Sequence, residues 1–194
     1  MQTIKSEDAE KFIQKQIKGH PNLEIFAQGN TVASFEPIDF LWGYSYHSHC
    51  IPPFKPETVL ILGYGKGQVA GLIRKIYGSD IKVTGVDLVP QDYKYMEYKI
   101  VIADAKDYVK ESTSHIFTKN RFDYIVIDLF DGERAPDFVF SSEFASRLYQ
   151  MAKKMLCLNV MAGDFDRLKA YHDYNFKFHR MVPLFLNNIS FWGI

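Results

Sequence analysis

Apolar residues fall along this chain in two rhythms. Short unbroken runs, Val59-Leu-Ile-Leu62 and Tyr124-Ile-Val-Ile127, suit strands buried on both faces. Between such runs, Val69, Leu72, Ile73 and Ile76, and later Phe144, Leu148, Met151 and Met155, recur at helical spacing. The full pattern predicts strands near 59–62, 81–87, 98–103, 121–128, 156–160, 176–185 and 188–194. Helices are expected after the first strand, from Asp104, from a cap at Ser141 or Ser142, and over about 164–173. Strands alternating with helices predict an α/β fold, a Rossmann-like seven-stranded and mainly parallel sheet whose last two strands form a hairpin. Upstream, residues 6–18 predict an amphipathic helix with Ala9, Phe12, Ile13 and Ile17 on one face. Leu23–Phe26 and Thr31–Phe35 flank Gly29-Asn30 as a hairpin. Pro37, Pro52, Pro53 and Pro56 break regular structure. The domain boundary is therefore expected near Lys55, with a helix and hairpin extension over 1–54 and the ligand-binding domain over 55–194.

The first strand ends in glycines at alternate positions, Gly63, Gly65 and Gly67, before a helix begins. A strand, glycine turn and helix let a nucleotide approach the backbone, and the helix start offers N–H groups. Such a turn is a weak signal until an acid ends the next strand, where a ribose would lie. Asp87 supplies it. Ligands of open α/β sheets bind outside the carboxyl ends of the strands. Asp87, Asp104 and Asp128 all fall there. A nucleoside fits the three, with Asp87 on the ribose hydroxyls, Asp104 on an adenine amino group and Asp128 facing the reacting atoms.

Each acid also has a plainer role. Asp87 could simply end a strand, Asp104 could cap a helix, and Asp131 is a turn residue before Gly132. Asp128 resists that treatment, because it directly follows a buried apolar strand beside the glycine turn, where a carboxylate needs a partner. His47-Ser-His49-Cys50 offers three close metal-ligand candidates with no second cluster to match, so no metal is expected. Most aromatics are core, though Phe130 and Tyr46 could line a pocket.

Composition narrows the function. The 194 residues carry 23 basic and 23 acidic side chains, so no broad electrostatic surface for nucleic acid or anionic lipid is expected. Two cysteines, Cys50 and Cys157, fit a reducing cytosol. A charged N-terminus and the lack of long apolar runs give no signal peptide or membrane span, and a cytoplasmic protein is expected.

These motifs together resemble the polyamine aminopropyltransferases, the spermidine synthase family, within the wider class I fold of S-adenosylmethionine-dependent methyltransferases. The resemblance runs from about Tyr46 to Val160. Val59-Leu-Ile-Leu-Gly-Tyr-Gly-Lys-Gly67 is similar to the family's nucleotide loop, which implies Gly63, Gly65, Lys66 and Gly67 as cofactor contacts. Val86-Asp-Leu-Val-Pro90 resembles the ribose segment, and Ala103-Asp-Ala-Lys-Asp-Tyr-Val109 the adenine segment, implying Asp87, Asp104 and Ala105. Phe122-Asp-Tyr-Ile-Val-Ile-Asp-Leu-Phe-Asp131 resembles the catalytic strand and loop, which puts Asp128 at the catalytic acid. Tyr46, His47, Phe130, Asp131 and Glu133 follow as substrate contacts, the two acids for the far cationic end of a polyamine.

The implied reaction transfers an aminopropyl group from decarboxylated S-adenosylmethionine to a small-molecule amine. One departure bears on it. The family has an acid where this chain has Lys66, and a lysine there would attract the carboxylate that ordinary S-adenosylmethionine carries. The N-terminal portion is also short for the family, which leaves room for a homodimer that completes the site. A small-molecule methyltransferase is the second expectation, a non-catalytic nucleoside or polyamine binder the third, and NAD-linked chemistry a weaker fourth.

Overall fold

The computed structural model describes residues 24–28, 31–35, 46–89, 99–114, 121–132, 134–184 and 187–194. The helix expected over 6–18 and Glu133 lie outside them. Near the N-terminus, β1 (Glu24–Gln28) pairs antiparallel with β2 (Thr31–Phe35), Gln28 opposite Thr31 across a two-residue connection. Among its described residues, the segment expected to be irregular forms a helical turn, α1 (Tyr46–His49).

The main sheet holds β3 (Thr58–Leu62), β4 (Lys82–Asp87), β5 (Lys99–Ile102), β6 (Phe122–Ile127), β7 (Ala152–Met161), β8 (Lys177–Pro183) and β9 (Asn187–Gly193). Their spatial order is β5-β4-β3-β6-β7-β9-β8. The first five are parallel, and β9 runs antiparallel to both β7 and β8. Order reverses between β3 and β6, so the chain ends of those two strands flank the crevice where such sheets bind ligands.

Helices α2 (Gln68–Tyr77), α3 (Ala105–Ser114), α4 (Ser142–Met151) and α5 (Lys169–Asp173) cover the sheet. Two 3-10 segments, Asp137–Phe140 and Ala162–Leu168, precede α4 and α5. The alternation of each central strand divides the core in two. Leu60, Leu62, Ile125, Ile127, Leu156 and Leu158 face α3 and α4, packing on Val109 and Leu148. Val59, Ile61, Tyr124, Val126 and Cys157 form the other layer with Val69 and Ile73 of α2 and with Cys50. Every residue of β6 is buried, as its unbroken apolar run predicts.

Asp123 is the buried exception at the start of β6. Its carboxylate accepts from the backbone of Glu57 at 2.8 Å and of Thr58 at 3.3 Å, and Lys153 and Lys154 stand 3.8 and 3.5 Å away. Burial opposes its charge, but those donors and cations outweigh burial and hold the carboxyl below the usual range. Asp123 thus ties the amino ends of β3 and β6, far from the crevice. Ser141 caps α4, its hydroxyl accepting from Phe144 N–H at 3.2 Å. β7 starts at Ala152, four residues before the expected strand, and continues directly from α4. Among the described residues no helix is long and apolar enough to cross a membrane.

Candidate active site

The glycine turn folds because three of its residues take backbone angles closed to most side chains. Gly63, Gly65 and Gly67 have φ of 83°, 55° and 84°. Gly63 must also be bare, since a Cβ there would meet the backbone of Asp128. At Gly67 and at Gly85 of β4 a Cβ would strike the buried ring of Tyr64, which fills the space beneath the turn. Gly65 differs, because a Cβ on it would meet nothing within 4 Å. The middle of the turn therefore faces open space.

Asp87 ends β4 and is buried. Its Oδ2 accepts from Gly65 N–H at 2.8 Å and its Oδ1 from Val89 N–H at 3.2 Å. The N–H groups of Gly63 and Tyr64 donate to the Val86 carbonyl at 2.9 and 3.2 Å. The turn is thus sewn to the end of β4, and the ribose candidate shapes the glycine loop directly. Asp104 lies at the end of β5. Its Oδ1 accepts from Lys106 N–H at 2.7 Å and its carbonyl from Tyr108 N–H, so it caps α3, the plainer role weighed for it. Ala105 is the first, buried residue of that helix.

Asp128 follows β6 and is anchored by its own N–H, which donates to the Leu62 carbonyl at 2.8 Å. Its carboxylate sits between two donors. Tyr46 Oη donates to Oδ2 at 3.1 Å from α1, and Asn159 Nδ2 donates to Oδ1 at 2.8 Å from β7. Burial lifts the Asp128 carboxyl to about 6; the two hydrogen bonds pull against that, and the negative charge of Asp87 adds to it. Tyr46 stays a phenol, its hydroxyl raised well above the usual value by burial and then by the charge of Asp128. His47 stacks on Tyr46 with ring centroids 3.9 Å apart, and burial lowers it to about 3, so it is neutral at pH 7. α1 is locked beneath by Cys50. The Cys50 thiol donates to the Tyr46 carbonyl at 3.6 Å, and Tyr124 Oη donates to the Cys50 carbonyl at 2.6 Å.

The loop after Asp128 carries the remaining substrate candidates. Phe130 is half-buried, and Asp131 is exposed, in a bridge with Arg134 closed by Asp131 N–H on the Arg134 carbonyl at 2.8 Å. Gly63, Gly65, Asp87, Tyr46 and Asp128 are therefore linked by hydrogen bonds or close approach at the carboxyl ends of β3, β4 and β6. Asp104 stands on the same rim, at the end of β5. Two residues of the site escaped the reading of the chain. Asn159 interrupts the apolar run of β7, and a buried polar residue in a central strand is itself a signal. Asn187 opens β9 and donates from Nδ2 to Asn159 Oδ1 at 3.0 Å. Among the described residues no group of three or more His, Cys, Asp or Glu could hold a metal ion.

No known protein-family model matches the chain. Two curated relatives do. Over 142 residues the chain is 25% identical to a polyamine aminopropyltransferase of Vibrio vulnificus, covering 69% of this chain and 46% of that protein. Over 116 residues it is 30% identical to an N-terminal histidine N-methyltransferase of Emericella nidulans, covering 56% of this chain and 20% of that protein. The chain thus spans less than half the length of either. Among solved structures it is similar to human methyltransferase-like protein 13 in complex with SAH, with TM-score 0.58, 17% identity and 71% of each chain covered. It is also similar to spermidine synthase from Thermotoga maritima, with TM-score 0.58, 19% identity, and 88% of this chain and 68% of that one covered. The fold is that of the class I S-adenosylmethionine-dependent methyltransferases.

Proposed function

We propose that this chain transfers a group from an adenosine-bearing sulfonium compound to the nitrogen of a small amine, in the manner of an aminopropyltransferase. One observation carries the reading: Asp128, the acid at the switch point of the sheet, is held by Tyr46 and Asn159 against a bare glycine turn whose centre faces open space.

The residues present fit the nucleoside. Gly65 leaves room above the turn, Asp87 would take the ribose hydroxyls, and Asp104 with Ala105 would border the adenine. When bound, the sulfonium compound supplies an electrophilic carbon next to a positively charged sulfur. Asp128 then has one task, to orient the amine and accept its proton as the new C–N bond forms and the C–S bond breaks. A carboxyl near 6 suits that task, being ionised at neutral pH yet more basic than an ordinary aspartate. Tyr46 and Asn159 hold both carboxylate oxygens in register. Asp131 and Glu133 would hold the second cation of a polyamine, with Tyr46, His47 and Phe130 bordering the chain between. The Vibrio relative, a polyamine aminopropyltransferase, supports this choice of donor and acceptor.

Lys66 favours a second reading, methyl transfer from ordinary S-adenosylmethionine, because its charge in the glycine turn would pair with the carboxylate that the decarboxylated compound lacks. The similarity to an N-methyltransferase points the same way. Incubation with either donor and a panel of putrescine, spermidine and longer amines separates the readings. Methylthioadenosine as product supports aminopropyl transfer, and S-adenosylhomocysteine supports methyl transfer. Neither product across the panel would overturn the proposal. Lys66→Asp adds a binding check: calorimetry should show the wild type preferring the carboxylated donor, and the variant the decarboxylated one, if the second reading holds.

A further inference from the structure

The polar chain through the crevice does not stop at Asp128. It runs Tyr46, Asp128, Asn159, Asn187, contributed by α1, the end of β6, β7 and β9. Asn159 is 1% exposed and sits among Cys157, Leu158 and Val160, all fully buried. A buried amide placed there needs its hydrogen bonds satisfied. Its carbonyl oxygen accepts from Asn187 Nδ2, an NH2 group that can only donate. Its NH2 side therefore faces Asp128, and the amide cannot turn over without setting oxygen against carboxylate oxygen. The antiparallel register supports this, since Asn159 lies opposite Ile189 and Asn187 opposite Met161, so the Asn187 side chain reaches back along β7 to do it.

We infer that Asn159 is a positioning residue for Asp128, holding its carboxylate ionised and in a fixed orientation at the end of β6, and that Asn187 fixes the direction in which Asn159 donates. The inference rests on Asp128 being the group that meets the incoming nucleophile, and it adds what sets that group's charge and orientation. The titratable groups around Asp128 are Tyr46 and Cys50 from the α1 segment and Asp87 from the end of β4. Tyr46 and Cys50 are both pushed upward, so neither takes up charge near neutral pH. Asp87 opposes ionisation of Asp128, which makes the two donors the counterweight.

The test is carbon-13 NMR of the side-chain carboxyls in aspartate-labelled protein, titrated with pH, with Asp128→Asn used to assign the resonance. Asn159→Leu keeps the branched shape and removes the donor; Asn187→Ala leaves Asn159 in place and removes only its guide, which guards against a variant that fails to fold. The Asp128 midpoint should rise by about one pH unit in Asn159→Leu, as expected for a lost charge-assisted donor, and by less in Asn187→Ala. An unchanged midpoint in Asn187→Ala together with an unchanged or lower one in Asn159→Leu would overturn the inference. Because the titration needs no substrate, its outcome is separate from the turnover panel. If the midpoints move but no product forms with any amine, the proposed reaction fails and the positioning role stands.

Discussion

A side chain at Gly63 would place its Cβ 2.0 Å from the carbonyl oxygen of Asp128. The glycine turn and the catalytic candidate are thus one structure, joined where β3 and β6 lie side by side. Gly63→Ala should destabilise the fold by roughly 2 kcal/mol or more, through both the positive φ and the clash. Gly65→Ala meets no neighbour and should cost only about 1–2 kcal/mol of left-handed strain. Urea denaturation of the two variants checks the order. Equal stability of both would mean that the turn does not pack on Asp128 as described.

Asp128 makes stability fall as pH rises. Its carboxyl is lifted to about 6 in the folded chain and titrates near the ordinary aspartate value when unfolded. The native state therefore binds more protons between those two values, and stability declines across that window to a plateau above it. Two pH units of displacement correspond to roughly 2–3 kcal/mol. Asp128→Asn removes the dependence. Urea midpoints should show the variant gaining on the wild type from pH 4 to pH 7.5, and a gap that stays constant would contradict the raised carboxyl.

The acid limb of catalysis should follow the same group. Product formation should rise with pH through about 6 as Asp128 ionises. Tyr46→Phe deletes a donor to Oδ2, so the limb should move to higher pH and the rate at pH 7 should fall about tenfold. A pH–rate profile of both proteins measures it.

At α4, Ser141→Ala should cost about 1 kcal/mol by removing the hydroxyl that accepts from Phe144 N–H, whereas Ser142→Ala should stay within about 0.5 kcal/mol. Thermal denaturation distinguishes the two serines, which the sequence alone left as alternatives.

Much of this fold was legible because buried parallel strands announce themselves. The seven strands, the glycine turn and the acids at their ends were all readable from apolar runs and punctuation by Gly and Asp. The order of strands in space was not, since nothing local in β9 says that it inserts between β7 and β8. The helical turn at Tyr46–His49 was hidden by its proline-rich surroundings, and what it packs on comes from 82 residues downstream in the pair Tyr46–Asp128. Asn159 and Asn187 were missed for a related reason. Period and propensity describe backbone, whereas a side-chain relay across three strands depends on register. The expected role of Asp104 illustrates the opposite limit, for a residue can cap a helix and still border a ligand.

In the proposed function, Gly65, Asp87 and Asp104 together hold an adenosine-bearing ligand beside Asp128. Isothermal titration calorimetry with S-adenosylhomocysteine and with methylthioadenosine, on the wild type and on Asp87→Ala, tests it most directly. Saturable binding of at least one compound by the wild type, weakened about tenfold or more in the variant, is the predicted result. No binding of either compound by folded wild-type protein, or equal affinity in Asp87→Ala, would contradict it.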